Sequence, residues 1–346
     1  MHITRRAFLR TSAATLGAAA LMLSGCGKGK SSSGVDGNVA TITNVSYDPT
    51  RELYEAYNEL FCGYYAEATG MDLTVVQSHG GSGSQSRSVM EGAEADVVTL
   101  ALEHDISTLE KAGLMESGWI DDFPNDSSPY TSTIVLLVRA GNPKNILDWD
   151  DLTRSGIDVI TPDPKSSGGA MWNFLAAWDF ASNLYPGDDK KVRRFMSDLY
   201  ANVAVMNSGA RGATTTFVEN GQGDVLIAWE NEALISVSEY PDDFEIVSPS
   251  SSILCQPTVA VVSANAAKNG TAEIAHDYLA YLYEDESQRI IGEYGYRPIN
   301  EEILQEFSDK FDLNMSLCTI ADFGGWDEAY ATYFKDGGIF DDIYLA

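Results

Sequence analysis

Val159-Ile-Thr-Pro-Asp-Pro-Lys-Ser-Ser-Gly-Gly-Ala170 compresses a strand, a turn and a helix start into twelve residues. Asp158 to Thr161 is short, apolar and β-branched, which suits a buried strand. Two prolines and a Ser-Ser-Gly-Gly run then break it, and Gly169 to Ser182 continues with helical spacing. The same plan recurs at Asp48-Pro49-Thr50, at Ser78-His79-Gly80-Gly81-Ser82-Gly83 and at Ser208-Gly209-Ala210-Arg211-Gly212. A helix leaves its first backbone N–H groups without intrahelical partners and carries partial positive charge at that end. Several such ends converging on one point would hold a small anion without lysine or metal.

Outward from these turns the chain alternates strand and helix. Thr41 to Tyr47 reads as a strand followed by an amphipathic helix from Pro49 to Thr69, with Leu53, Tyr57, Leu60 and Tyr64 at helical spacing and Asp48 placed to cap it. Leu73 to Gln77 and Asp96 to Ala101 are further strands, with a short helix from Ser84 to Gly92 between them. This succession predicts an α/β fold with mostly parallel sheets flanked by helices. Two β-rich runs, Thr131 to Arg139 and Pro257 to Ser263, bracket a fresh series: Val203 to Met206, Ala213 to Glu219 and Val225 to Trp229. A second α/β unit inserted into the first follows, giving one lobe of residues 39–130 plus 257–346 and another of residues 131–256. Two of the turns fall on each lobe, so the ligand is expected in the crevice, where closing the hinge would enclose it.

The chain has 346 residues, enough for two cores of ordinary size, and a formal net charge of −29 from 51 acidic against 22 basic residues. So acidic a surface excludes nucleic acid as a partner, because phosphate backbones are engaged by dense Lys/Arg surfaces. Any anion must instead be captured by local donors against the global field. Thr4-Arg5-Arg6-Ala7-Phe8-Leu9 resembles a twin-arginine export signal, Ala13 to Leu23 is a short apolar run, and Leu23-Ser-Gly-Cys26 looks like a lipobox. The apolar run is about half the ~20 residues of a membrane span, so residues 1–25 read as a cleaved signal. Similarity to bacterial lipoproteins implies lipidation of Cys26 and attachment to the membrane, with 26–38 as a Gly/Ser-rich tether and the mature protein outside the cytoplasmic membrane. The remaining cysteines, Cys62, Cys255 and Cys318, fit no zinc pattern; their odd number leaves at least one unpaired within a monomer.

From Asn44 to Phe340 the chain resembles the sulfate/thiosulfate-binding proteins of ABC importers. The stretches that carry this include Asn44-Val-Ser-Tyr-Asp-Pro-Thr-Arg-Glu-Leu53, Gln77-Ser-His-Gly-Gly-Ser-Gly83, Pro164-Lys-Ser-Ser-Gly-Gly-Ala170, Ser208-Gly-Ala-Arg-Gly-Ala-Thr214, Gly223-Asp-Val-Leu-Ile-Ala-Trp-Glu-Asn-Glu-Ala233 and Phe323-Gly-Gly-Trp326. The resemblance implies a two-lobed periplasmic-binding-protein fold of type II and a monomer that binds sulfate or thiosulfate and passes it to permease subunits. It further implies a dehydrated ion held by neutral donors: the backbone N–H groups of Asp48, Ser167, Gly168, Gly169 and Ala210, the Ser82 hydroxyl and the Trp229 indole N–H. His79 and Arg211 would stand behind them. Departures from the family pattern are the lipobox, Ser84 where lysine is common and Met171 where arginine is common.

Donors without acceptor capacity suit sulfate, a fully deprotonated dianion, whereas the proton still carried by phosphate would find no partner. Gly168 and Gly169 are expected to admit close backbone approach and to take positive φ angles that aim successive N–H groups inward. Trp229 ends an apolar strand and reads both as core and as donor. The acid pairs Glu230/Glu232 and Asp121/Asp122 read as solvated face. No cofactor, metal or enzymatic role is called for. The competing readings are a receptor for molybdate or phosphate and, more remotely, a serine hydrolase using Ser82 with His79.

Overall fold

The computed structural model describes residues 33–344. The export signal, the lipobox and Cys26 lie outside the described residues.

Two five-stranded mixed sheets organise these residues. In the first, the parallel strands Asp72–Gly80, Val39–Tyr47 and Val97–Leu100 form the centre. Thr258–Val261 joins antiparallel beside Val97–Leu100, and Gly34–Asp36 pairs antiparallel with the start of Val39–Tyr47. In the second, Val225–Trp229, Val159–Pro162 and Val203–Asn207 are parallel, while Ile134–Arg139 runs antiparallel beside Val225–Trp229 and carries Phe244–Val247 outside it. Each sheet therefore has a parallel centre made by strand–helix units and an antiparallel strand at the point where the chain enters or leaves it. One sheet draws its strands from residues 34–100 and 258–261, the other from 134–247.

The two passages between the sheets run side by side. Ser132 and Cys255 exchange backbone hydrogen bonds of 3.0 and 2.9 Å, and the Thr133 hydroxyl donates to the Ile253 carbonyl at 2.9 Å. These two short extended segments carry the chain from one sheet to the other and back, as a hinge requires.

Helix Arg51–Thr69 buries Leu53, Tyr54, Tyr57, Phe61 and Tyr65, whereas Tyr64 is exposed. The apolar stripe is thus rotated from the predicted Leu53/Tyr57/Leu60/Tyr64 set. Both sets satisfy helical spacing, and the larger rings take the buried side, where Tyr57 and Phe61 pack against Tyr278 at 5.1 and 5.3 Å. In the second lobe, helix Gly168–Leu184 is buried along most of its length and presents Trp172, Phe174 and Trp178 to the core.

The end of the chain departs from the expected lobe assignment. Strand Ser316–Cys318 pairs in parallel with Ser251–Ile253, and Trp326, Phe334 and Phe340 pack into the same core as Trp172 and Phe174 of the second lobe. Residues 316–344 therefore do not belong wholly with the first lobe; aromatic burial draws them across.

Glu230 and Glu232 also depart from expectation. They are 3% and 2% exposed, not solvated. Glu230 accepts two hydrogen bonds from Arg297, at 2.7 and 2.8 Å, and that bidentate geometry compensates the desolvation of both charges. Breaking the pair from one side leaves a bare buried guanidinium, so Glu230→Ala is expected to cost about 3–5 kcal/mol of unfolding free energy. Urea denaturation checks this, and a loss below about 1 kcal/mol would show the pair to be energetically idle.

Candidate functional site

Each predicted turn joins the C-terminal end of a strand to the start of a helix, the place where open α/β sheets bind ligands. Val39–Tyr47 runs into a 3₁₀ turn, Asp48–Thr50, and then the helix from Arg51. Asp72–Gly80 leads through Gly81 into helix Ser82–Met90; Val159–Pro162 leads to the helix beginning at Gly168; Val203–Asn207 leads to helix Ala210–Val218. Ser167 caps its helix with its own hydroxyl, which accepts from the Ala170 N–H at 3.4 Å, whereas Gly81 and Gly209 have no side chain with which to cap theirs.

All four turns meet. A methyl group added at Gly209 would stand 2.8 Å from Asp48 Oδ2, and one at Gly81 would stand 2.7 Å from the Ser166 carbonyl oxygen. One at Gly168 would lie 3.0 Å from Ser82 Cβ, and one at Gly169 2.9 Å from Trp229 Nε1. The Ser166 hydroxyl donates to the Ser208 carbonyl at 2.9 Å, tying two turns of the second lobe together. The contacts Asp48–Gly209, Gly81–Ser166 and Ser82–Gly168 each join one sheet's turns to the other's. Gly81 was not singled out from sequence, although its place in the Gly-Gly-Ser turn was the available signal.

Three of the expected donor groups are hydrogen-bonded within the protein. The Ser82 hydroxyl is committed: it donates to Asp105 Oδ2 at 2.5 Å and accepts from the Ala101 N–H at 3.1 Å. The Ser167 backbone N–H donates to the Asp163 carbonyl at 2.9 Å. The group each serine was expected to offer is thus already bonded within the protein, whereas the Ser82 N–H, at the first position of its helix, and the Ser167 hydroxyl proton have no protein acceptor among the described residues. Trp229 is 1% exposed and its indole N–H donates to the Gly169 carbonyl at 3.2 Å, so the ring reaches the Ser-Gly-Gly turn and serves as core at once. Neither Gly168 nor Gly169 has positive φ. Their requirement is space, because Leu102, Ser82 and Trp229 fill the volume a side chain would take.

Formal charges near the turns cancel locally. Arg211 pairs with Glu52 at 2.5 Å and Glu232 at 3.1 Å. Burial alone would lower its pKa, but the two carboxylates outweigh that and raise it, so the guanidinium stays charged. Asp48, next to Gly209, has its pKa raised by burial against the pull of Arg51 and Arg211. His79 is brought to the end of its strand, where Nδ1 shares a 2.5 Å hydrogen bond with the Ser46 hydroxyl, and burial followed by Arg51 brings its pKa down to about 4. That partner is Ser46 rather than Ser82, so the imidazole is not placed to activate the Ser82 hydroxyl as a nucleophile would need. A cavity of about 830 Å³ around Glu59, Glu67, Glu284, Asp285 and Glu286 lies away from the turns and would repel an anion.

Asp105 is a neighbour of the site that the sequence did not mark. It sits in the first turn of helix Glu103–Lys111, buried and bonded to the Ser82 hydroxyl. Burial pushes its pKa from 3.8 to about 6, against the opposing pull of the Ser82 hydroxyl and of Arg87.

A family model described as bacterial extracellular solute-binding protein matches residues 50–297. The sulfate-binding protein of Escherichia coli K12 is 53% identical over 304 residues, covering 87% of this chain and 92% of that protein. The thiosulfate-binding protein of Pseudomonas aeruginosa is 42% identical and covers 88% and 92% respectively. Among solved structures, the sulfate-binding protein SubI from Mycobacterium tuberculosis H37Rv superposes with a TM-score of 0.75 at 35% identity, covering 84% of this chain and 98% of that one.

The raised Asp105 pKa has a definite thermodynamic sign. Between pH 3.8 and about 6 the folded protein holds a proton on this carboxyl that the unfolded chain has released, so its contribution to stability is lost as pH rises through that window. Asp105→Asn is expected to remove this component, leaving the variant's melting temperature falling less between pH 4 and pH 6.5 than the wild type's. Parallel melting curves for the two proteins across that range would refute the assignment.

Proposed function

The chain belongs to the bacterial extracellular solute-binding protein family, and from that premise we propose a receptor that captures sulfate, with thiosulfate as a second ligand, and delivers it to an ABC permease. The observation that carries this reading is the meeting of four helix-initiating turns from two lobes around one point, with neutral hydrogen-bond donors as their common chemistry. The names and high identities of the relatives agree with it. The donors we assign are the backbone N–H groups of Asp48, Ser82, Gly168, Gly169 and Ala210 and the Ser167 hydroxyl, with the Trp229 indole N–H exchanging the Gly169 carbonyl, its partner in this structure, for the ion. Arg211 holds the two lobes' turns through Glu52 and Glu232.

In this reading Cys26 carries the lipid anchor, the tether ends before strand Gly34–Asp36 and not at residue 38 as expected, because that strand pairs with Val39–Tyr47, and the twin-arginine-like segment exports the chain. The lobes are residues 39–130 plus 257–315 and residues 131–256, with 316–344 crossing between them. The protein works as a monomer, since one copy supplies every donor.

Selectivity follows from donor chemistry. A donors-only pocket leaves the hydroxyl of hydrogen phosphate unpaired, at about 1–3 kcal/mol in a dry site, or roughly five- to 150-fold in affinity. Calorimetry with sulfate, thiosulfate, molybdate and phosphate decides the ligand: sulfate or thiosulfate is expected to bind at least tenfold tighter than phosphate, and tightest binding of phosphate or molybdate would overturn the assignment. Gly169→Ala pushes a methyl group into the Trp229 nitrogen and is expected to weaken sulfate binding by at least an order of magnitude while the protein stays folded. Unaltered affinity in a folded Gly169→Ala protein would move the ion to another place.

A further inference from the structure

Residues 326–341 touch both lobes, and they do so in two different ways. Toward the second lobe the contacts are those of a core. Trp326 sets its edge against Trp172 at 4.6 Å, Phe334 and Phe340 pack on Phe174 at 5.4 and 5.9 Å, and Phe340 also meets Tyr200 at 5.4 Å. Trp326, Phe334 and Phe340 are 3%, 2% and 2% exposed. Lys165, the residue before the Ser-Ser-Gly-Gly turn, donates to the Phe334 carbonyl at 2.9 Å and pairs with Asp341 at 2.7 Å. The segment is therefore bound to the base of an anion turn.

Toward the first lobe the contacts are few and near the surface. The Tyr330 ring stacks on His104 at 4.1 Å with an interplanar angle of 18°, and Asp327 Oδ1 stands 3.3 Å from Lys111 Nζ and 3.4 Å from His104 Nδ1. His104 and Lys111 belong to helix Glu103–Lys111, which also carries Asp105, the residue holding Ser82. A cavity of about 110 Å³ lies along this seam, walled by Arg87 and His104 on one side, Lys165 and Met171 on the other, and Tyr330. The grip is thus a pair of local contacts beside a gap and not a packed interface. Tyr330–Phe334 is a π-helical turn, an irregularity often found at functional positions, and Gly324 and Gly325, with φ of +80° and +86°, precede the segment.

We propose that Asp327 and Tyr330 are positioning residues that latch the closed form: anchored to the second lobe, they grip helix Glu103–Lys111 of the first lobe when the cleft shuts and so slow release of the bound anion. The inference rests on the reading that the ion lies between the lobes. Opening at the hinge moves the two sheets apart, and of the segment's two attachments the exposed one breaks first, because it buries least. Contacts that exist only in the closed form stabilise that form alone, so they slow dissociation and leave capture by the open form nearly unchanged. One aromatic stack and one exposed ion pair are worth about a three- to tenfold change in the closing equilibrium.

The test is a chase of radiolabelled sulfate from the purified protein with excess unlabelled sulfate, alongside equilibrium binding. Tyr330→Ala and Asp327→Ala are each expected to raise the dissociation rate about three- to tenfold with an association rate within about twofold of wild type; Asp327→Ala leaves the urea midpoint of the sulfate-free protein unchanged, while Tyr330→Ala, which also loses packing on the core, lowers it. Tyr330→Phe keeps the stack and should release sulfate at the wild-type rate. Unchanged dissociation in both alanine variants overturns the latch, and so does a fast rate in Tyr330→Phe equal to that of Tyr330→Ala. If the wild type retains no sulfate, the ligand reading has failed and not the latch; the same chase, run with whichever oxyanion calorimetry shows to bind, then decides the latch by the same criteria.

Discussion

A helix built from L-residues starts with N–H groups that nothing inside it can satisfy, and this chain places four such starts around one point. Everything else in the architecture serves their approach. Strands in the middle of each sheet end at the same edge, so the turns that follow them gather there. The turns then come close enough that a single added methyl group would collide with Asp48, with the Ser166 carbonyl, with Ser82 or with the Trp229 ring. Glycine stands at Gly81, Gly168 and Gly209 because backbone from one lobe must reach the other, and at Gly169 because Trp229 of its own lobe fills the space a side chain would take. An unusual backbone angle is not the reason, for none of the four has positive φ.

Neutral donors also answer an electrostatic difficulty. A chain with a formal charge of −29 repels anions at long range, and several carboxyl groups sit close behind the site: Asp48, Asp105 and Glu232 are at least partly buried there. The nearby arginine does not act as a free cation, since Glu52 and Glu232 both hold it. Attraction therefore has to come from oriented N–H dipoles at contact distance, where a low local dielectric makes them effective. The same arrangement leaves no strong formal charge to trap the ion, so release depends on the lobes separating.

The turns and most of the strands were legible in the sequence because their determinants are local. Ser-Ser-Gly-Gly after a β-branched run states a strand end, a tight turn and a helix start within a dozen residues. What was not legible depends on partners far along the chain. Glu230 looks like any other acid in an acidic sequence until Arg297 is brought to it, and Asp105 has no local pattern to set it apart. The hydrogen-bonding state of the two serines was not legible either. Which atom of Ser82 or Ser167 remains free is decided by Asp105 and by the Asp163 carbonyl, neither of which the turn motif contains. The buried stripe of helix Arg51–Thr69 was misread for a related reason: spacing alone admits two registers, and the ring of Tyr278, more than two hundred residues away, selects one.

Closure and selectivity are coupled by this division of the donors. With the donors we propose, Asp48 and Ser82 on one lobe and Ser167, Gly168, Gly169, Ala210 and Trp229 on the other, neither half alone surrounds a tetrahedral ion. An anion carrying a proton can still meet one lobe's N–H groups with its bare oxygens; its hydroxyl is left unpaired only when the second lobe arrives and water is excluded. The penalty against such a ligand is therefore exerted on the closed state, and a poor ligand fails by holding the cleft open more than by failing to touch it. Contacts remote from the ion, such as the paired backbone passages at Ser132 and Cys255, need only let the lobes move as rigid bodies for this to work. They need not distinguish one oxyanion from another.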